Sequence, residues 1–380
     1  MKCFGLLLAL CMLTCQWSLA QTRQNRQSFP VRYFNKIFKD TSHKEDNQLL
    51  IYPIVAYAPE TSVELGASIL YVAYAKHDTT NRLSEINGTV FYTIKNQFGA
   101  IFDHTLYSDH NDWFLLGKLK FQSFPLSYYG IGSGTPGQKL ARVDAVQFQL
   151  KERLLRKVYN NFYVGLEADF QHLGNVNFVD HDASVIYDKP PGHQGSTNVG
   201  FGLGLLYDNR HNVLNVRKGL FSELAFLHYS PHIGTGFEFT SVFADFRWFR
   251  PIRQRNVLAT HVIGQFSYGH PPFNQLALMG GESMMRGYYL GRFRDKNLVA
   301  GQLEYRMLPF AFAKRWGASV FGGTGVVFNS LSNMQSDHIV FAGGAGIRFQ
   351  LFPKKDVWIR FDLAVTSEGT GVYIFVGEAF

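Results

Sequence analysis

Five residues in one short stretch, Asp103, His104, Asp109, His110 and Asp112, are of the types that ligate a divalent metal. They straddle the end of one alternating segment and a tight turn, where such groups are simply solvated, so no metal site is assigned. Gly200-Phe201-Gly202-Leu203-Gly204 and Gly343-Gly344-Ala345-Gly346 have the look of phosphate-cradling loops, but no helical pattern follows either. Glycines inside strands serve close packing or bending instead. No short-range signature pairs a serine with a histidine for hydrolysis, so the chain reads as a non-enzyme without cofactor. One cation stands out by its surroundings. Arg286 is flanked by Gly280, Gly281 and Gly287, which let a loop bend sharply and approach other backbone. A guanidinium folded inward needs a carboxylate partner, and Glu304 is the candidate.

The elements that must position such a pair follow a period of two. In residues 357–365 the odd positions Val357, Ile359, Phe361, Leu363 and Val365 are apolar, and Arg360 and Asp362 lie on the other face. Trp113, Leu115, Leu119 and Phe121 likewise oppose Lys118, Lys120 and Gln122, and Phe162, Val164, Leu166 and Phe170 oppose Glu167, Asp169 and Gln171. Sixteen such segments are expected: 48–57, 61–75, 83–95, 97–108, 111–122, 140–154, 160–173, 197–207, 218–230, 236–249, 255–268, 296–308, 316–328, 337–350, 356–367 and 370–380.

Of 380 residues 46% are hydrophobic, 16% aromatic and 17% charged, which excludes disorder, yet the mean hydropathy is only −0.08. Apolar and polar residues are therefore interleaved, unlike a polytopic helical membrane protein. The net charge of +8 is dispersed along the chain, so nucleic acid is not an expected partner. Lys2, the apolar run Phe4 to Leu13, and Ser18-Leu19-Ala20 form a secretory signal peptide over residues 1–20, cleaved near Ala20. Acylation at Cys15 is the minor alternative. Cys3, Cys11 and Cys15 all fall inside this segment, so the processed chain would be free of cysteine. Residues 21–47 read as a short polar periplasmic leader, and 48–380 as the barrel domain.

Most segments reach the roughly 9–11 residues that a tilted strand needs to cross a bilayer. Dividing 333 residues by sixteen gives about 21 per strand with its connection, too long a spacing for a soluble sandwich. The fold class expected is all-β: a transmembrane antiparallel β-barrel of about 16 strands, lipid outside and polar inside. Short turns at 109–112 and 353–356 against long connections at 175–196 and 267–296 fit the two unlike ends of such a barrel. The barrel closes by pairing its first and last strands. Pro53 in the first cannot donate to a ladder, and Gly371 and Gly377 lie in the last, so this seam is expected to be weak.

The stretch Met279 to Arg306, with Arg286-Gly287-Tyr288 at its tip, resembles the sixth external loop and following strand of the BamA/TamA outer-membrane superfamily, the bacterial surface antigen family. Tyr57 to Gly66, Phe124 to Gly132 and Tyr207 to Gly219 are similar to further parts of that barrel, so the resemblance covers 48–380. It implies that Arg286, Gly287 and Tyr288 form a loop latch on Glu304. The family usually adds an inward Asp on the next strand. Gly323 stands there, so the latch is expected to be weaker or to borrow another inward acid such as Asp362. Phe380, ending an alternating strand, resembles the signal by which barrel-assembly machinery recognises its substrates. Family members that assemble proteins usually carry periplasmic POTRA modules, and residues 21–47 are too short for one, so the chain resembles a POTRA-less branch, which implies either a separate periplasmic partner for client capture or no protein client at all.

The implied function is assistance to insertion, assembly or translocation of proteins, or of lipids, at the bacterial outer membrane, acting through the seam on nascent outer-membrane clients. The alternative is a passive pore whose inward Lys118, Lys120, Arg348 and Arg360 favour anions.

Overall fold

Strict alternation leaves each strand one apolar and one polar face, and a closed sheet satisfies all main-chain groups while turning the apolar face to lipid. The computed structural model describes residues 47–380 apart from 211–214, 235, 254 and 354–355. The signal peptide and nearly all of the leader lie outside the described residues. No described helix is long and apolar enough to cross a membrane.

Sixteen described strands pair in sequence order, each antiparallel to the next. They are β1 (Gln48–Ala58), β2 (Ser62–Tyr74), β3 (Leu83–Thr93), β4 (Phe98–Tyr107), β5 (Trp113–Ser123), β6 (Ala141–Tyr159), β7 (Phe162–Asp180) and β8 (Ser196–Asp208). There follow β9 (Gly219–Tyr229), β10 (Phe239–Pro251), β11 (Asn256–Gly269), β12 (Asn297–Met307), β13 (Trp316–Phe328), β14 (Val340–Phe352), β15 (Val357–Thr366) and β16 (Gly369–Val376). A three-residue strand, Leu126–Tyr128, prolongs the pairing of β5 with β6. β1 meets β16 and closes the barrel.

Burial inverts the order of a soluble protein. In β15 the outward Phe361, Leu363 and Val365 are 42%, 52% and 53% exposed, whereas the inward Arg360 and Asp362 are 3% and 2% exposed. Only lipid outside and a packed lumen make that arrangement favourable. The long connections 124–140, 181–195, 270–296 and 329–339 share one end, and turns such as 108–112 and 160–161 share the other.

Three expectations need correction. β6 and β7 run 19 residues each, well past the expected ends at 154 and 173. Near the far end of β7 a register shift between Asp144 and Val146, with Asn175 at φ +52°, moves the alternation by one residue: Val176 and Phe178 pack inward against the buried cluster of Tyr128, Val143 and Leu173 while Asn175 and Asn177 are exposed. The last strand stops at Val376, not 380: Gly377 takes φ +95° and Glu378–Phe380 leave the sheet. The connection 270–296 contains a hairpin of its own, Ala277–Met279 with Phe293–Asp295.

Candidate functional site

The connection 270–296 folds into the barrel. Met279, Met284, Met285, Tyr288 and Phe293 pack with Leu298, Ala300, Val327 and Ala342 into a buried cluster, so apolar burial on the inner faces of β12–β14 holds the loop down. At its tip Gly287 has φ +109°, and an added Cβ would meet Thr366 and Ala364 of β15. The glycine supplies both the left-handed turn and the close approach.

Arg286, 1% exposed, is thereby placed among the inward side chains. Its Nη2 lies 2.5 Å from Glu304 Oε2 on β12, and its Nη1 2.5 Å from Asp362 Oδ2 on β15. Its Cζ stands 3.5 Å from the ring centroid of Phe321 on β13. The two acids are shared with other cations. Glu304 Oε1 accepts from Arg306 Nε at 3.0 Å and Arg348 Nη2 at 3.3 Å, and Asp362 accepts from Arg348 Nη1 at 2.5 Å and Arg360 Nη1 at 3.2 Å. Glu378 Oε2 accepts from Arg348 Nε at 3.0 Å. Such buried charges are tolerable only as a fully paired set, because each alone carries a desolvation cost of several kcal/mol. Gly323 leaves no gap: an added Cβ there would sit 3.0 Å from Gln302 Cβ and 3.4 Å from Met285 Sδ.

Arg348 and Arg360, read above as pore-lining cations, are instead sealed in this network, at 0% and 3% exposure. Lys118 faces the lumen but pairs with Asp103 at 3.2 Å, and Lys120 lines the lumen.

The seam is short. Tyr57 opposite Ile374 is the one described partner pair between β1 and β16, whereas β1 matches β2 from Gln48 opposite Val72 to Ala58 opposite Ser62. Continuing that register puts Val55 opposite Val376, where β16 ends. Pro53 lies on β1 opposite Ala67 of β2. Gly377 is beyond the last strand, its N–H donating to Trp358 O at 2.7 Å. Gly371 faces inward: an added Cβ would lie 2.9 Å from the Tyr373 ring and 3.1 Å from Gly287 Cα, so its small size admits the loop tip. Phe380 turns inward as well. Its ring stacks on His261 at 4.8 Å, and its carbonyl accepts from Arg306 Nη2 at 3.0 Å.

The loop also touches both sides of the seam. Gly287 N donates to Tyr373 Oη of β16 at 2.9 Å, Leu290 N donates to Glu60 Oε1 in the β1–β2 turn at 2.6 Å, and Arg292 Nη2 lies 2.6 Å from Glu368 Oε1 in the β15–β16 turn. Tyr288 Oη donates to Phe341 O at 3.2 Å. Sequence reasoning missed the contacts of Tyr373, Glu60 and Glu368 with the loop and those of Arg348 with Glu304, Asp362 and Glu378, all of which join residues far apart in the chain. Glu378, an acid on an otherwise apolar run, was the visible hint.

A family model described as the Omp85 superfamily domain matches residues 89–372, 284 of the 380 residues. No protein of curated function matches the sequence. Among solved structures, BamA from Haemophilus ducreyi lacking POTRA domains 1–3 is similar at 14% identity and TM-score 0.56, over 87% of this chain and 70% of that one. CdiB from Acinetobacter baumannii is similar at 10% and 0.56, over 91% and 66%, and CdiB from Escherichia coli at 13% and 0.57, over 90% and 68%. At such identities the structures show a shared barrel, the fold that the loop motif led us to expect. With three quarters of the sequence matched by the family model and the fold in common, this chain belongs to the Omp85 superfamily.

Proposed function

We propose that the barrel assists insertion, assembly or translocation of other proteins at the outer membrane by transient opening between β1 and β16, with the inward loop as the latch. The observation that carries this is the seam itself: one described partner pair, Tyr57 with Ile374, at the only closure the sheet has among the described residues. Opening there breaks few main-chain hydrogen bonds and offers strand edges on which a client strand can pair. Arg286, Gly287, Tyr288 and Glu304 act as the latch in this reading, and Pro53, Gly371 and Gly377 flank the seam. A passive anion-favouring pore finds less support, since the loop fills part of the lumen and Arg348 and Arg360 are neutralised.

The test is folding of a denatured client barrel in vesicles that hold this protein, with and without a Tyr57→Cys/Ile374→Cys disulfide. Partners directly opposite in an antiparallel pair have a Cα spacing within the range a disulfide spans, and the described residues contain no cysteine. Acceleration that oxidation abolishes and reduction restores is the expected result. Acceleration untouched by the lock refutes action through the seam.

A further inference from the structure

A cavity of about 730 Å³ lies in the lumen and meets the Arg286 network at Glu282, whose carbonyl accepts from Arg360 Nη1 at 2.9 Å; its lining carries groups of both charges. Glu60 of the β1–β2 turn, Glu64 on β2 and Glu282 on the loop line one side. Glu282 repels both of the others, and burial pushes the Glu60 carboxyl above the usual range despite the main-chain N–H of Leu290. The part of the lining on β5–β7 carries Gln122, Gln147, Gln149, Gln171 and Lys120. Lys120 stands opposite Gln149, which stands opposite Gln171, a polar row across three strands. On its other side Lys120 faces Ile101, and the two nearby acids are held by other groups, Asp103 by Lys118 and Asp169 by Gln149, Gln171 and Tyr229.

The loop supplies a second cation. Arg294 is 4% exposed and lines the cavity, its Nε is buried without a partner, and its Cζ lies 5.1 Å over the Tyr128 ring. Burial pushes its guanidinium down to about 10. No described carboxylate lies within ion-pair distance of it; Asp103, the remaining acid of the cavity, is taken by Lys118.

Glu60 and Arg294 are buried and Glu64, Glu282 and Lys120 half-buried, and charges so placed are costly unless something pairs them. A single anion would answer Lys120 and Arg294 but add to the repulsion among the glutamates, and a cation would do the reverse. A molecule carrying both charges answers both sets of groups, and amides, which donate and accept, suit hydroxyls between them. We propose that the cavity binds a zwitterionic phosphate, its ammonium against Glu64 and Glu282, its phosphate against Lys120 and Arg294, and its hydroxyls on the glutamine row. Ile54 and Ala58 of β1 and Phe375 and Val376 at the end of β16 complete the lining, so the cavity backs onto the seam. The same chemistry can come from a free phosphodiester such as glycerophosphoethanolamine or from the headgroup of phosphatidylethanolamine. Binding of the free compound is independent of whether the seam opens.

The test is calorimetric titration of the folded barrel, in an uncharged maltoside detergent, with glycerophosphoethanolamine, glycerol 3-phosphate and ethanolamine. The zwitterion is expected to bind at least about tenfold more tightly than either half, and Lys120→Gln and Glu64→Gln each to weaken it about tenfold. Lys76→Gln, at the opposite end of β2, is expected to leave it unchanged. Native mass spectrometry after incubation with phosphatidylethanolamine separates the sources: lipid retained by the native chain and lost in both cavity variants assigns the headgroup, and its absence beside soluble binding assigns the free compound. The proposal is overturned by no heat at millimolar zwitterion together with no retained lipid, by equal binding of glycerol 3-phosphate, or by binding that neither cavity variant alters while both migrate as folded barrels.

Discussion

The main-chain N–H of Gly287 donates to the phenolic oxygen of Tyr373 across 2.9 Å, joining the tip of the inward loop to the last strand of the barrel. Leu290 N, three residues on, is bound by Glu60 just after the first strand. One loop thus spans the inner side of the closure, and its anchorage and the integrity of the seam become a single physical question.

Tyr373→Phe removes one hydrogen bond and keeps the ring packing. A neutral bond of this kind is worth about 1 kcal/mol, so the ratio of open to closed seam is expected to rise about fivefold. Amide hydrogen exchange at the seam residues Tyr57 and Ile374, whose rate is proportional to that ratio, is expected to speed up about fivefold.

Arg286→Ala strips Glu304 Oε2 of its cation and leaves Glu304 and Asp362 bridged by Arg348 alone. Removing one member of a buried charge set costs about 3–5 kcal/mol, and the midpoint of urea unfolding in micelles is expected to fall accordingly. Arg286→Lys should recover only part of the loss, because a point charge cannot reproduce a planar fork between two carboxylates.

Gly371→Val places a branched side chain where an added Cβ already lies 3.1 Å from Gly287 Cα. The loop tip should be displaced while the sheet survives. Trypsin, which the buried Arg286 and Arg292 should resist in the native chain, is then expected to cut within 282–296. Undiminished resistance would show that the tip does not depend on this contact.

Asp109, in the exposed β4–β5 turn, accepts from Lys76 Nζ at 2.6 Å and from Asn81, which hold its carboxyl down at about 2 against about 3.9 for an unperturbed aspartate. Since the folded value is depressed, the stabilisation is present above the unfolded value and is lost as pH falls through about 2. Carboxyl carbon NMR of Asp109 should titrate there, and Lys76→Gln should move the midpoint upward.

The barrel was legible because its signal is local: a two-residue period, repeated sixteen times and punctuated by turns, needs no knowledge of distant contacts. Its errors fell where that signal stops. At Asn175 the alternation slips by one residue, so that the inward face becomes apolar, and at Gly377 a positive φ turns the chain while the apolar pattern runs on. The site was less legible. Glycine spacing marks Arg286 as the tip of a bent loop, and period two places Glu304 and Asp362 on inward faces. Which acid stands within reach depends on the stagger of β12 against β15, which no segment encodes by itself. The same holds for Arg348, whose pairing with Glu304, Asp362 and Glu378 turns an apparent pore cation into part of a sealed network.

The central claim, that the inward loop governs the seam, is tested most directly by electron-spin distance measurement between labels on the lipid-facing positions Val55 of β1 and Val372 of β16, in the native background and with Arg286→Ala. Val55 and Val372 are 63% and 44% exposed, so labels there leave the lumen untouched. A single short distance in the native background and an added longer population in the variant is the predicted result. Identical distributions in the two, with both chains folded, would contradict the account.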